Sequence, residues 1–349
     1  MFRVVSTSVA SPANAPWKQC HASSLIEAGD GDLLCAWFAG EAEGAIDNAI
    51  WLSRGTRQET GWSFAEPERM TDQVEAHWNP VLGRPAGGPI TLFYKVGRPI
   101  SRWQTWVRRS TDGYHWSVPE ELVTGDVGGR GPVKNPPVTA ADGSWVAPAS
   151  VETAAEPGRP AVWESFADLS TDGGVTWEAS PPIPVDHACF EGAGMIQPTM
   201  WVGADGVLYA LTRTTAGFAW RSRSVDGGRS WSAAEPTNLP NNNSGLCALA
   251  RPDGTVVCAH NTSGISWGPR NELVLSGSAD NGRTWERLGD IERLLESGHG
   301  FGGQDAGVVT TGRGELSYPT LIDDSAHPGR IIVSYTHERT KIVVAALKL

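Results

Sequence analysis

Apolar residues in this chain come in short runs between turn-forming clusters. LLCAWF follows GDGD, VLYALTR follows GADG, and TVVCAH follows RPDG. Runs of this length, bounded by Gly, Asp, Asn and Pro, predict β-strands joined by tight hairpins. Long helical periodicity is hard to find, so the chain reads as all-β.

The strands recur as units. Six blocks place a polar residue just before a small residue or proline and then an apolar strand: His21-Ala-Ser-Ser-Leu, Asn79-Pro-Val-Leu, Asn135-Pro-Pro-Val, Gln197-Pro-Thr-Met, Asn243-Ser-Gly-Leu and Tyr318-Pro-Thr-Leu. A turn and a second apolar run follow each. Six such units in 349 residues give a repeat of about 58, and radial repetition of four-stranded sheets predicts a six-bladed β-propeller spanning residues 1–349 as one domain. Met1 to about Ala10 is expected to add the outer strand of the blade that holds the C-terminus. The innermost strands would then present His21, Asn79, Asn135, Gln197, Asn243 and Tyr318 as a polar ring around the axis.

A second repeat is the box STDGGVTW at Ser170–Trp177, which returns as SVDGGRSW at Ser224–Trp231 and SADNGRTW at Ser278–Trp285, with a shortened STDGYHW at Ser110–Trp116. Asp can accept turn amides, Gly supplies positive φ, and Trp packs against the strands. The box therefore reads as a structural bracket rather than a catalytic signature.

Composition narrows the function. The 28 Lys and Arg against 39 Asp and Glu give a net charge of -11, which argues against a nucleic-acid partner. No apolar run approaches a membrane span. The start, MFRVVSTSVA, lacks a basic and an apolar signal region, which points to a cytoplasmic location. The five cysteines, Cys20, Cys35, Cys189, Cys247 and Cys258, show no CxxC spacing and read as buried free thiols, with no zinc cluster and no cofactor implied.

Boxes of the form S-x-D-x-G-x-T-W in a six-blade frame resemble the sialidase (neuraminidase) superfamily over nearly the whole chain, and the chain is similar to its bacterial "predicted neuraminidase" members. That resemblance implies three arginines on a substrate carboxylate, a Tyr nucleophile supported by a Glu, and an Asp as acid/base. GELSYPTL puts Tyr318 on the nucleophile position, PRNELVLSGSADNGRTW puts Arg270 on one arginine, and IQPTMWVGADGVLYALTR puts Arg213 on another. Two positions depart. The usual E-P pair is Gln197-Pro198, and an amide cannot serve as base. The usual arginine opening blade one is replaced by CHASSL and so by His21, which can serve as acid or base. The blade-one loop GEAEGAIDNAIW offers Glu41, Glu43 and Asp47 for the acid/base, with no unique match.

Further binding candidates are Lys134 beside Asn135, His260 in CAHNTS, Arg339 in THERTK, and Trp78 as a sugar-stacking wall. Arginine forks suit carboxylates. The expected partner is an acidic glycan or small acidic sugar. The main reading is a sialidase-like glycosidase. The alternatives are a uronate lyase using Tyr318 and His21, and a non-hydrolytic carbohydrate-binding or recruited propeller.

Overall fold

The computed structural model describes residues 2–29, 31–72, 74–157, 159–187, 192–296, 298, 301–303 and 307–349. Six antiparallel sheets follow one another along the chain. Their innermost strands are Gln19–Gly29, His77–Gly83, Val138–Thr139, Met195–Val202, Cys247–Ala250 and Leu316–Asp323, in blades one to six. The sheets make the six-bladed propeller that the repeats predict. The sixth blade closes the ring, with Arg3–Val9 lying outside Lys341–Lys348 and Arg3 opposite Lys348. A small hairpin pairs Phe301–Gly303 with Gly307–Val309.

Strands lying between two blades are covered on both faces, so the usual in–out alternation disappears. Leu33 to Gly40, for example, is buried without a break. Cys20, Cys35, Cys247 and Cys258 are free and buried, whereas Cys189 lies outside the described residues. Among the described residues no helix is long and apolar enough to cross a membrane.

The boxes are brackets in atomic detail. The Ser170 hydroxyl donates to Asp172 (2.8 Å), and Asp172 accepts the amides of Val175 (3.0 Å) and Thr176 (2.9 Å). Ser224–Asp226 and Ser278–Asp280 repeat the arrangement. Each box tryptophan reaches beyond its own blade. Trp177 packs on Trp145 of blade three and on Phe93 of blade two, and Trp285 of blade five packs with Trp201 and Tyr209 of blade four. The box thus closes a turn and wedges two blades together.

Around the axis, the innermost strands of blades one, two, four and six share an irregularity. Pairing with the second strand skips two residues, and the first skipped residue has positive φ: Ala22 (55°), Asn79 (41°), Gln197 (50°) and Tyr318 (53°). A bulge there turns one side chain into the mouth. Proline, which lacks an N–H, can follow the bulge without losing a ladder hydrogen bond, hence the recurrent polar-Pro pair. This differs from the expectation for blade one. Blade one contributes Ala22 to the ring position, and His21 stands one residue earlier.

Candidate functional site

The mouth is built on Tyr318. Its phenol oxygen accepts hydrogen bonds from Arg213 Nη1 (2.7 Å) and Gln197 Nε2 (3.3 Å). The same Arg213 nitrogen donates to Gln197 Oε1 (3.0 Å), and Arg213 Nε donates to Asn243 Oδ1 (2.7 Å). Three ring residues of blades four, five and six are therefore gathered by one guanidinium from the second strand of blade four. All four side chains are buried. Among the described residues no carboxylate pairs with Arg213, and the buried Asn243 Nδ2 has no partner.

Two more arginines complete the cluster, and they are neutralised from within. Arg339, at a turn with φ of 53°, forks onto Glu315 through Nε (2.9 Å) and Nη2 (3.3 Å), and its Nη1 pairs with Glu43. Arg270 donates to Glu315 Oε1 (3.0 Å) and to the carbonyl of Asn243 (3.3 Å). Burial works to raise the Glu315 carboxyl, but Arg339 and then Arg270 hold it far below the usual carboxylate range. Glu315 was missed in the sequence, although it lies inside the quoted GELSYPTL.

His21 faces this cluster from blade one. Its ring lies 4.3 Å from that of Tyr318, its Nδ1 shares a hydrogen bond with Thr336 (2.9 Å), and its buried Nε2 has no partner. Burial, then the charge of Arg339, pushes its pKa well below 6.5, so the ring is neutral at pH 7. Two half-buried tryptophans also escaped notice. Trp163 and Trp267 lie with their ring centres 5.9 Å and 5.6 Å from the Arg213 guanidinium, and Trp267 lies 5.9 Å from that of Arg270. They supply the aromatic surface expected of Trp78.

Trp78 itself is a core residue. It is buried between Phe38 and Trp103, with its indole N–H on the carbonyl of Gly97 (2.9 Å), which corrects the sugar-wall expectation. His260 is likewise corrected. It is buried, with one ring nitrogen on the carbonyl of Asn261 and the other on Ser276 (both 2.8 Å), and burial pushes its pKa down to about 4. Lys134 is a plug rather than a substrate ligand. Its ammonium donates to Asn135 Oδ1 (3.0 Å) and to the carbonyls of Leu246 (3.1 Å) and Pro319, joining blades three, five and six. Gly245 leaves the room for this: a Cβ there would stand 3.2 Å from both Lys134 Cε and Tyr318 Cγ.

Asn135 donates to the carbonyls of Gln197 (3.3 Å) and Pro198 (3.0 Å), whereas Asn79 occupies the ring position of blade two. In the blade-one loop, Glu43 is committed to Arg339. Asp47 is exposed and accepts the amide of Glu41 (3.0 Å). Among the described residues no group of His, Cys, Asp and Glu side chains could hold a metal ion.

The family described as "BNR repeat-like domain" matches residues 31–333. No curated protein sequence matches the chain. The fold is similar to that of a Dyadobacter fermentans protein of unknown function, with a TM-score of 0.71, 18% identity and coverage of 100% of this chain and 99% of that one. It is also similar to the NanB sialidase of Streptococcus pneumoniae (TM-score 0.67, 13% identity, 99% and 70% covered). A third similar structure is an α-L-arabinanase of Penicillium chrysogenum in complex with arabinobiose (TM-score 0.66, 12% identity, 99% and 98% covered). At such identities the likeness is one of fold: a six-bladed propeller of the kind that sialidases use.

Proposed function

The chain belongs to the BNR repeat-like family, and on that premise we propose that it is a sialidase-like glycoside hydrolase whose substrate is an acidic sugar held by its carboxylate. One observation carries the reading. A buried arginine with no carboxylate partner among the described residues, Arg213, donates directly to the hydroxyl of Tyr318. A buried cation with only neutral partners favours an anionic ligand, and guanidinium suits carboxylate geometry. A ligand carboxylate on Arg213 sets the sugar beside the tyrosine, with Trp163 and Trp267 available to its apolar face.

In this reading the Tyr318 oxygen attacks the anomeric carbon, and the departing oxygen takes a proton from Asp47, since Glu43 is held by Arg339 and Glu41 by Lys18. The phenol proton passes to His21, whose ring lies 4.3 Å from that of Tyr318 and whose Nε2 has no partner among the described residues, and it returns to the phenolate when the sugar leaves. Water, deprotonated by Asp47, then attacks the anomeric carbon and releases the sugar from Tyr318. Elimination would use the same Tyr318 and His21, and nothing at the site favours it over hydrolysis.

The test is to incubate the protein with aryl glycosides of sialic and uronic acids, and with fluorinated analogues that accumulate the covalent intermediate. Hydrolysis is expected, with added mass on the peptide containing Tyr318 that disappears in Tyr318→Phe. An unsaturated product, or full turnover by Tyr318→Phe, would overturn the reading.

A further inference from the structure

We propose that Glu315 is a built-in counter-anion that withholds Arg270 and Arg339 from the ligand and reserves the site for a single negative charge. This deepens the acidic-sugar reading and rests on it: the substrate class becomes sugars with one carboxylate, against those that also carry phosphate or sulfate.

The argument starts from how the charges are connected. Arg270, Glu315, Arg339 and Glu43 form a chain of alternating sign through direct contacts. The carboxylate oxygens of Glu315 are fully engaged. One takes Arg270, Arg339 and the hydroxyl of Ser317 (2.6 Å), and the other takes Arg339 Nε. A ligand carboxylate reaching for either arginine has to displace an intramolecular one, already desolvated and held in fork geometry. Among the described residues Arg213 has no such rival, because its partners there are an amide of Gln197, an amide of Asn243 and a phenol. Three guanidiniums against two carboxylates, with His21 neutral, leave one positive charge, and it sits on Arg213. Beside it, the unpartnered Asn243 Nδ2 provides a second donor for the same anion.

The test is binding of inorganic sulfate, measured calorimetrically, so that it does not depend on turnover. In the native protein Arg213→Gln is expected to abolish binding. Glu315→Gln frees Arg270, leaves Arg339 held only by Glu43, and is expected to tighten sulfate at least tenfold. Binding should then survive the further change Arg213→Gln. Glu43→Gln, an isosteric change that leaves Arg339 on Glu315, frees only the outer end of the chain and is expected to tighten sulfate at least threefold in a protein that still melts cooperatively. Unchanged affinity in Glu43→Gln, or in a Glu315→Gln protein that still melts cooperatively, overturns the proposal. So does loss of binding in a folded double variant. An enzyme that hydrolyses acidic sugars but shows no tightening sinks this inference alone. Tightening without any hydrolysis sinks the hydrolase reading and leaves the counter-anion in place.

Discussion

Arg213 Nη1 lies 2.7 Å from the hydroxyl oxygen of Tyr318 and 3.0 Å from Oε1 of Gln197, so the phenol is bridged to an amide by a cation. In the sialidase pattern that the sequence resembles, a glutamate stands where Gln197 stands. The replacement changes the charge of the whole cluster. With glutamate, Arg213 would be neutralised as Arg270 and Arg339 are. With glutamine it remains an open cation.

Gln197→Glu should therefore weaken binding of the acidic substrate. We expect KM to rise about tenfold, the scale of a lost charge-assisted contact. A carboxylate beside Tyr318 can also take the phenol proton, so kcat should not fall. Kinetics on an acidic glycoside and its neutral analogue check this. An unchanged KM for the acidic substrate would mean that Arg213 is not its anchor.

Asp47 and Glu43 of the blade-one loop should separate cleanly. Asp47→Asn removes the proposed acid and should lower kcat by about 10²–10⁴-fold on substrates with poor leaving groups. The loss should shrink with an aryl leaving group that departs without a proton. Glu43→Gln breaks the pairing with Arg339 and should cost much less in kcat. The reverse ranking would make Glu43 the acid.

Much of this arrangement was legible in the chain. The polar-Pro blocks and the boxes announced six blades, and Tyr318, Arg213, Gln197 and Asn243 do meet. The misreading of His21 had a local cause. The apolar residues Leu25, Leu82, Met200 and Leu321 each stand three positions after a bulge residue, and that spacing selects Ala22. Glu315 was hidden for a different reason. A carboxylate's role depends on which cations approach it, and Arg270 and Arg339 come from 45 and 24 positions away. Trp78 and His260 look like site residues in sequence because strand ends near a mouth and strand ends under a blade carry the same side chains.

The boxes should matter for stability and not for catalysis. Asp172→Ala removes the acceptor for the Val175 and Thr176 amides in an exposed turn, where water takes up part of the loss. A cost of about 1–2 kcal/mol is expected, which lowers the melting temperature by about 1–3 °C. Turnover by the folded protein should stay within about twofold. A large loss of kcat without loss of stability would reopen the catalytic reading of the box.

Acidification should destabilise the fold before the carboxylates titrate. His260 is pushed down to about 4 by burial and His21 lies well below 6.5, whereas both take up protons near 6.5 in the unfolded chain. Between those values the unfolded state binds more protons, so stability falls as pH drops. Above pH 6.5 neither state is protonated there, and the full contribution is present. Below about 4, His260 is protonated in both states and adds no further slope. A difference of about 2.5 units corresponds to roughly 3 kcal/mol for His260. Glu315 also has a depressed carboxyl, but its loss begins only as pH falls through the unfolded glutamate value near 4.5. The window from pH 6.5 to 5 therefore reports the histidines. Urea unfolding across that window should show declining stability in the native sequence and a shallower decline in His260→Asn, even though the variant starts lower at pH 7.5. Parallel curves would show that burial does not keep His260 neutral in the fold.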